Sequence, residues 1–345
     1  MATNRRVGKP SSKKQKGIET DFPIKKRQWI NMKKTLLALA VISAASSVNA
    51  AEIIKSDEGT VNFYGQIREN IKFTDDDNEA ASKIDESSSR AGVDASYKIS
   101  DGLNLVGLVE VSIKSDWSNR KHYIGVSSDD MGSVVFGKNS PIADDVYGAE
   151  YSYVYGGSAY YLYDKDLANT NFWQPNMIKY ELTKEAFWIK ASYNLDEDKS
   201  VPKLYELFAG TSIADLSLHT GVVQYEDKTG TNDIDSTSVE FTAEYTIGDA
   251  LLGATYAHIN RDNAGMDEDS DAISIGAIVK VADKTSLYGG FQYADTDVDG
   301  DLKTGYAGVE YKFASWGRTY LEYGYDKADD ADAVNNLALG ARVYW

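Results

Sequence analysis

Between residues 60 and 73 the sequence TVNFYGQIRENIKF alternates apolar and polar positions with a period of two. Val61, Phe63, Ile67, Ile71 and Phe73 fall on one side, and Asn62, Gln66, Arg68, Asn70 and Lys72 on the other. That rhythm predicts a strand with one greasy and one wet face. RAGVDASYKI repeats it, setting Ala91, Val93, Ala95, Tyr97 and Ile99 against Arg90, Asp94, Ser96 and Lys98. The final NLALGARVYW does the same with Leu337, Leu339, Ala341, Val343 and Trp345. About sixteen such segments follow one another, at 60–74, 88–100, 102–116, 119–128, 132–139, 170–183, 185–195, 203–213, 215–228, 236–248, 249–262, 271–283, 284–297, 302–314, 318–329 and 334–345.

The connections alternate in character. Ser100-Asp101-Gly102, Thr183-Lys184-Glu185 and Trp316-Gly317 are tight, whereas 75–87, 196–202, 229–235, 263–270 and 329–333 are longer and rich in Asp, Asn and Glu. Short turns on one side and long polar loops on the other fit an outer-membrane barrel. Several strands reach the roughly 9–11 residues that a tilted strand needs to cross a bilayer. A soluble sandwich, the rival for many short strands, would bury large aliphatics. Here the apolar faces hold modest residues, and aromatics gather near strand ends, as Tyr311 with Phe313, Tyr320 with Tyr323 and Tyr344 with Trp345. Aromatics so placed suit interfacial girdles. The expected fold is all-β, a 16-stranded antiparallel transmembrane β-barrel.

The N-terminus reads as targeting sequence. MKKTLLALAVISAASSVNA, residues 32–50, has a basic start, a short apolar run and small residues before a cleavage point after Ala50. Residues 1–31 are basic and aperiodic and are expected to be an upstream extension, which leaves the barrel at 51–345. Removing residues 1–50 takes away 11 Lys/Arg and 2 Asp/Glu, so the remaining 295 residues carry −26 where the whole chain carries −17. Such acidity argues against a nucleic-acid partner, because phosphate binding needs a basic surface. With no cysteine, disulfides and thiolate metal sites are excluded. Asp295-x-Asp297-x-Asp299-Gly300 imitates the front of a calcium loop, but Tyr306 stands where the closing glutamate belongs. No metal or cofactor is expected. The three histidines, His122, His219 and His258, lie on separate strands without a nucleophile motif, so an outer-membrane hydrolase is disfavoured. His122 takes the inward parity beside Arg120.

One segment breaks the rhythm. SPIADDVYGAEYSYVYGGSAYYLYDK, residues 140–165, packs seven tyrosines and four carboxylates into 26 positions. The hairpin before it, NRKHYIGVSSDDMGSVVFGKNSPIADDV, resembles Gram-negative general diffusion porins, as do NFYGQI and the terminal aromatic strand. The loops and acidity are most similar to the OmpU/OmpL-type porins of vibrio-like bacteria.

That resemblance implies a trimeric outer-membrane barrel, exported through the periplasm, with its third loop (about 140–168) folded into the lumen to pass ions and small hydrophilic solutes. It implies an acidic loop side at Glu150, Asp144 and Asp145, facing a basic wall at Arg90, Arg120 and Lys138. Gln66 stands where many relatives carry lysine, with Arg68 as substitute, and Ala168 and Val154 also depart from the family pattern. Gly156 and Gly157 would bend the loop, having no Cβ to clash. Partners implied are lipopolysaccharide and outer-membrane lipid, and the barrel assembly machinery reading the strand that ends at Trp345. With the acidic charge, cation preference is expected. The alternatives left open are an adhesin or receptor barrel and a substrate-specific channel, for which the tyrosines would form a slide.

Overall fold

The structure is a computed structural model, and it describes residues 51–345 apart from 116, 147, 158–171, 196–201, 229–232, 298–299 and 330. The leader and the distal part of the tyrosine loop, including Ala168, lie outside the described residues. The strands are β1 (Ala51–Lys55), β2 (Gly59–Thr74), β3 (Ser82–Asp85), β4 (Arg90–Ser100), β5 (Leu103–Ser112), β6 (Ser118–Ser128), β7 (Gly132–Asn139), β8 (Gln174–Thr183) and β9 (Phe187–Asn194). They continue as β10 (Lys203–Ile213), β11 (Leu216–Asp227), β12 (Ile234–Ile247), β13 (Ala250–Asn263), β14 (Met266–Ala282), β15 (Thr285–Thr296), β16 (Leu302–Ala314), β17 (Gly317–Ala328) and β18 (Val334–Tyr344). One short helix, α1 (Ile142–Asp145), follows β7.

Each long strand pairs antiparallel with the next, and β18 closes on β2 through Leu337↔Phe73, Leu339↔Ile71 and Val343↔Ile67. With β1 and β3 as short additions on β2, the result is the expected closed barrel of sixteen strands. Closure leaves no sheet edge in the apolar zone. At the seam, the Gly65 and Trp345 amides each donate to the other's carbonyl, at 2.9 and 3.1 Å.

Burial is inverted relative to a water-soluble fold. Phe63, Ile67, Ile71, Ile273, Ile275, Leu337 and Leu339 are exposed on the outside, while Glu322, Gln292 and Asn70 are buried inside. An apolar exterior of this extent is stable in lipid and aggregation-prone in water. Phe63 packs on Trp345 and Phe313 on Trp316 at the short-turn end, with ring centroids 6.1 and 5.3 Å apart.

Two expectations need correction. Residues 263–270 are not a loop: β13 and β14 run on to a two-residue turn at Ala264-Gly265, both at positive φ (55° and 86°). The acidic stretch is tolerated in a strand because its side chains find partners across the ladder, Asn260 Nδ2 donating to Asp269 at 2.8 Å and Arg261 Nη1 to Glu268 at 2.6 Å. His122 does not face the lumen. A bulge between Glu110 and Val111 lets β6 gain a residue, so Arg120 and Lys121 turn inward together and His122 pairs with Val109 on the outside.

Inside, aromatic rings lie flat over glycines of neighbouring strands: Tyr288 over Gly308, Tyr320 over Gly340, Phe208 over Gly221 and Trp188 over Gly210. A Cβ at any of these would collide with the ring above it. Gly308→Val should therefore displace Tyr288 and lower barrel stability by about 1–3 kcal/mol, read as a lower temperature for loss of the heat-modifiable band in detergent. An unchanged melting temperature would contradict this packing.

Candidate pore constriction

The loop after β7 enters the lumen at Ser140-Pro141, where the Ser140 amide donates to Asn139 Oδ1 at 2.9 Å. Helix α1 begins with backbone donors that have no partner of their own. Glu206, inward on β10, takes two of them, accepting from Ile142 N at 2.7 Å and Ala143 N at 3.0 Å, and also from Ser192 Oγ at 2.5 Å. At the other end of α1, Asp145 bonds Lys179, with Lys121 at 3.8 Å, while Lys179 Nζ also donates to Ser140 O at 3.3 Å. Burial alone would raise the Asp145 carboxyl, but the ammonium groups of Lys179, Lys121 and Lys190 outweigh it and hold it down at about 2.

The chain then follows the opposite wall. Ala149 N donates to Thr255 Oγ1 at 2.7 Å, and Ser274 Oγ donates to Ala149 O at 3.0 Å. Tyr151 N donates to Tyr306 OH at 2.8 Å, and Tyr151 OH to Glu244 at 2.7 Å. The firmest attachment is Glu322 of β17. It accepts from three successive amides, Tyr153 at 2.6 Å, Val154 at 2.9 Å and Tyr155 at 2.7 Å, and from Tyr288 OH at 2.9 Å. Tyr153 lies stacked on Tyr320 with centroids 4.4 Å apart. Its hydroxyl meets Glu310 and accepts from Arg318 Nη1 at 2.8 Å, and its carbonyl accepts from Arg342 Nη2 at 3.0 Å. Gly157 N donates to Gln292 Oε1 at 2.9 Å.

Among the acidic candidates, Asp145 is locked to lysines as above, and Asp144 lies close enough to act on Arg120 and Lys121. Glu150 is elsewhere. It turns back on its own loop, accepting from Ser152 N at 2.6 Å, with Glu322 and Arg342 as its charged neighbours. Burial pushes its carboxyl up and Glu322 adds to this, against the Ser152 hydrogen bonds and Arg342. Thus the structure does not bring Glu150 against Arg90, Arg120 and Lys138.

Of the basic candidates, Arg90 and Arg120 converge on Glu110, at 3.5 and 2.8 Å, and Arg120 stacks on Trp173 with its Cζ 4.2 Å from the ring centroid. Arg68 donates from Nε to Gln66 Oε1 at 2.8 Å, so the glutamine orients the arginine. Lys138 departs from expectation: it lies opposite His122 in the register, on the outward side with Phe136 and Ile124. Gly156 serves through its size rather than a left-handed backbone, since a Cβ there would strike Glu150 Oε1 and Ser152 Oγ. Sequence reasoning missed Glu206, Glu310, Glu322, Arg318, Arg342 and Lys179. Their inward parity was readable, but nothing local marked them as loop partners.

Comparison with known proteins agrees with this architecture. Residues 38–331 match the family model for Gram-negative porins. The chain is a Gram-negative porin. It is similar to the major outer membrane protein of Pasteurella multocida, 24% identical over 91% of this chain and 100% of that one. The trimer form of in-vitro folded OmpT from Vibrio cholerae matches with a TM-score of 0.75 and 39% identity, over 84% of this porin and 100% of that chain. An anion-selective porin from Comamonas acidovorans shares the fold at a TM-score of 0.73 and 16% identity, over 84% and 100% of the two chains. This porin is an outer-membrane protein, and the described part of the loop after β7 lies across its lumen, from Glu206 of β10 to Glu322 of β17.

Two outcomes test the loop attachment. Glu322→Ala leaves three amides and the Tyr288 hydroxyl without their acceptor, weakening docking by about 1–3 kcal/mol; single-channel records should show flicker absent from the native porin. Asp145 is held near 2 against an ordinary 3.8, so its contribution to docking is complete above the ordinary value and lost as pH falls through about 2. Current noise should rise over that window in the native porin and be present at neutral pH in Asp145→Asn. Noise with the same pH profile in both would exclude this role.

Proposed function

We propose that this porin forms a homotrimer whose pores pass small hydrophilic solutes by passive diffusion with a preference for cations. The carrying observation is the fate of the loop tyrosines. Tyr151 is tied to Glu244, Tyr153 stacks on Tyr320, and Tyr155 covers Gly324. Among the described residues these three rings, committed to the wall, form no slide along the water column, which favours sieving by size over a dedicated solute path; Tyr147, Tyr160, Tyr161 and Tyr163 lie outside the described residues. The trimer form of the related OmpT supports trimeric assembly. So does Glu69, on the outer face of β2 between exposed Ile67 and Ile71: a carboxylate at that place is costly against lipid and less so against a neighbouring copy.

Cation preference rests on the acidic surplus near the long-loop mouth, where Asp267, Asp269, Asp295, Asp297, Asp301 and Asp329 crowd the ends of β14 to β17. Such a mouth enriches cations at low ionic strength. In bilayers under a potassium chloride gradient, the reversal potential should lie on the cation side and shrink as salt rises, because exposed carboxylates are screened. Liposome swelling should rank neutral sugars by size alone. A reversal potential on the anion side would overturn the preference, and a sugar admitted out of size order would overturn general diffusion.

A further inference from the structure

On four strands of the outer wall, charge begins only past a tyrosine near the long-loop end. His258 follows Tyr256 on β13, Asp295 follows Tyr293 on β15, Lys327 follows Tyr325 on β17, and Lys203 precedes Tyr205 on the descending β10. Such tyrosines mark the membrane interface. On β2 no tyrosine intervenes. Glu69 is exposed between Ile67 and Ile71, with Phe73 further out still, so this carboxylate sits inside the apolar belt. The groups that act on it, Glu86 and Asp85, are acids like itself. Two basic residues interrupt the same belt on β6 and β7, where His122 lies directly opposite Lys138. The His122 ring meets Asn119 Oδ1 at 3.2 Å, whereas Lys138 has no ion-pair partner among the described residues.

The acid and the bases share a depth. Hydrogen-bonded rows climb around a barrel of tilted strands. The row that starts at Trp345, on the short-turn end, passes Gly65, Ala91 and Val111 and reaches Asn119 near the long-loop end of β6. The row through Lys138 and His122 passes Val109 and Val93 and meets β2 at Phe63. Glu69 stands six residues above that point (69 − 63 = 6). Four steps of climb, at about one residue per strand, bring Lys138 to within about two residues of its level. Between them the outward side chains of β4 and β5 are short, namely Ala91, Val93, Ala95, Gly107 and Val109. A second rigid wall can come close there.

We propose that the sector from β2 to β7 seats a second copy of this chain, with Glu69 of one protomer set against Lys138 and His122 of the next. A lone carboxylate or ammonium is unfavourable against lipid, and each supplies the partner that the other lacks. The charges lie at the two edges of the sector, so the contact joins unlike edges, the kind that closes into a ring. This contact rests on the homotrimer reading and adds to it the surfaces that meet.

The chain has no cysteine, so Glu69→Cys combined with Lys138→Cys introduces the only thiols. A short bismaleimide added to outer membranes should convert this double variant into covalent dimers and trimers. Leu252→Cys with Leu321→Cys, exposed and also four strands apart, should stay monomeric. Glu69→Lys and Lys138→Glu should each lower the temperature at which the oligomer dissociates in detergent, and the two together should restore it. Heat-modifiability of the released monomer checks that each variant barrel has folded. Thiol cross-links absent while amine-reactive reagents still yield trimers overturn this contact and leave the homotrimer standing. So do single reversals without effect, or ones that the double exchange fails to rescue, the result expected if Lys138 instead meets a lipid phosphate. Monomers alone with every reagent overturn both.

Discussion

A loop that turns into a barrel carries its backbone donors away from bulk water, and everything about this pore depends on where those donors find acceptors. Inward carboxylates supply them. Glu206 receives the first turn of α1, and Glu322 receives three amides in succession. A buried carboxylate is expensive unless it is hydrogen-bonded or paired, and a loop amide without an acceptor is expensive too. Each group removes the other's penalty. The loop is therefore positioned by the barrel register, on strands as far apart as β10 and β17, rather than by its own short helix.

That register is itself a consequence of the outer surface. In a strand of period two, committing Ile67, Ile71 and Phe73 to the outside commits Gln66, Arg68 and Asn70 to the inside. A slip of one residue would turn the arginines and anchoring glutamates into lipid. The apolar exterior thus specifies the polar interior without touching it. Glycines complete the arrangement by giving Tyr288, Tyr320 and Phe208 room to lie flat on neighbouring strands. Rings held this way keep the wall thin where the loop must pass and present hydroxyls such as that of Tyr288 to Glu322.

The alternation made the barrel legible down to its strand count, because lipid enforces the pattern on every strand. Legibility failed where something other than period two decided the outcome. The bulge opposite Glu110 reversed the parity of His122, and another between Gly137 and Asn139 adjoins Lys138, which stays outward. A bulge leaves no mark in a sequence of plausible strand residues. At 263–270 acidity imitated a loop, although Arg261 and Asn260 across the ladder make its part from Met266 onward a strand. The loop itself was recognisable as an interruption. Its contacts were not, since Glu150 and Ser152 satisfy each other locally while Glu322 reaches the loop from well over a hundred residues away.

Net charge is a poor guide to a pore of this kind, because acids at different depths do different things. Glu206 and Glu322 face backbone amides whose dipoles oppose their charge, so less of their field extends into the water column. Asp145 is matched by lysines. The remaining charge is divided by depth: aspartates surround the long-loop mouth, and arginines line the wall towards the short turns. A solute crossing the membrane then meets fields of opposite sign in sequence, the first weakened by screening at an open mouth and the second strengthened by a narrow, partly desolvated wall.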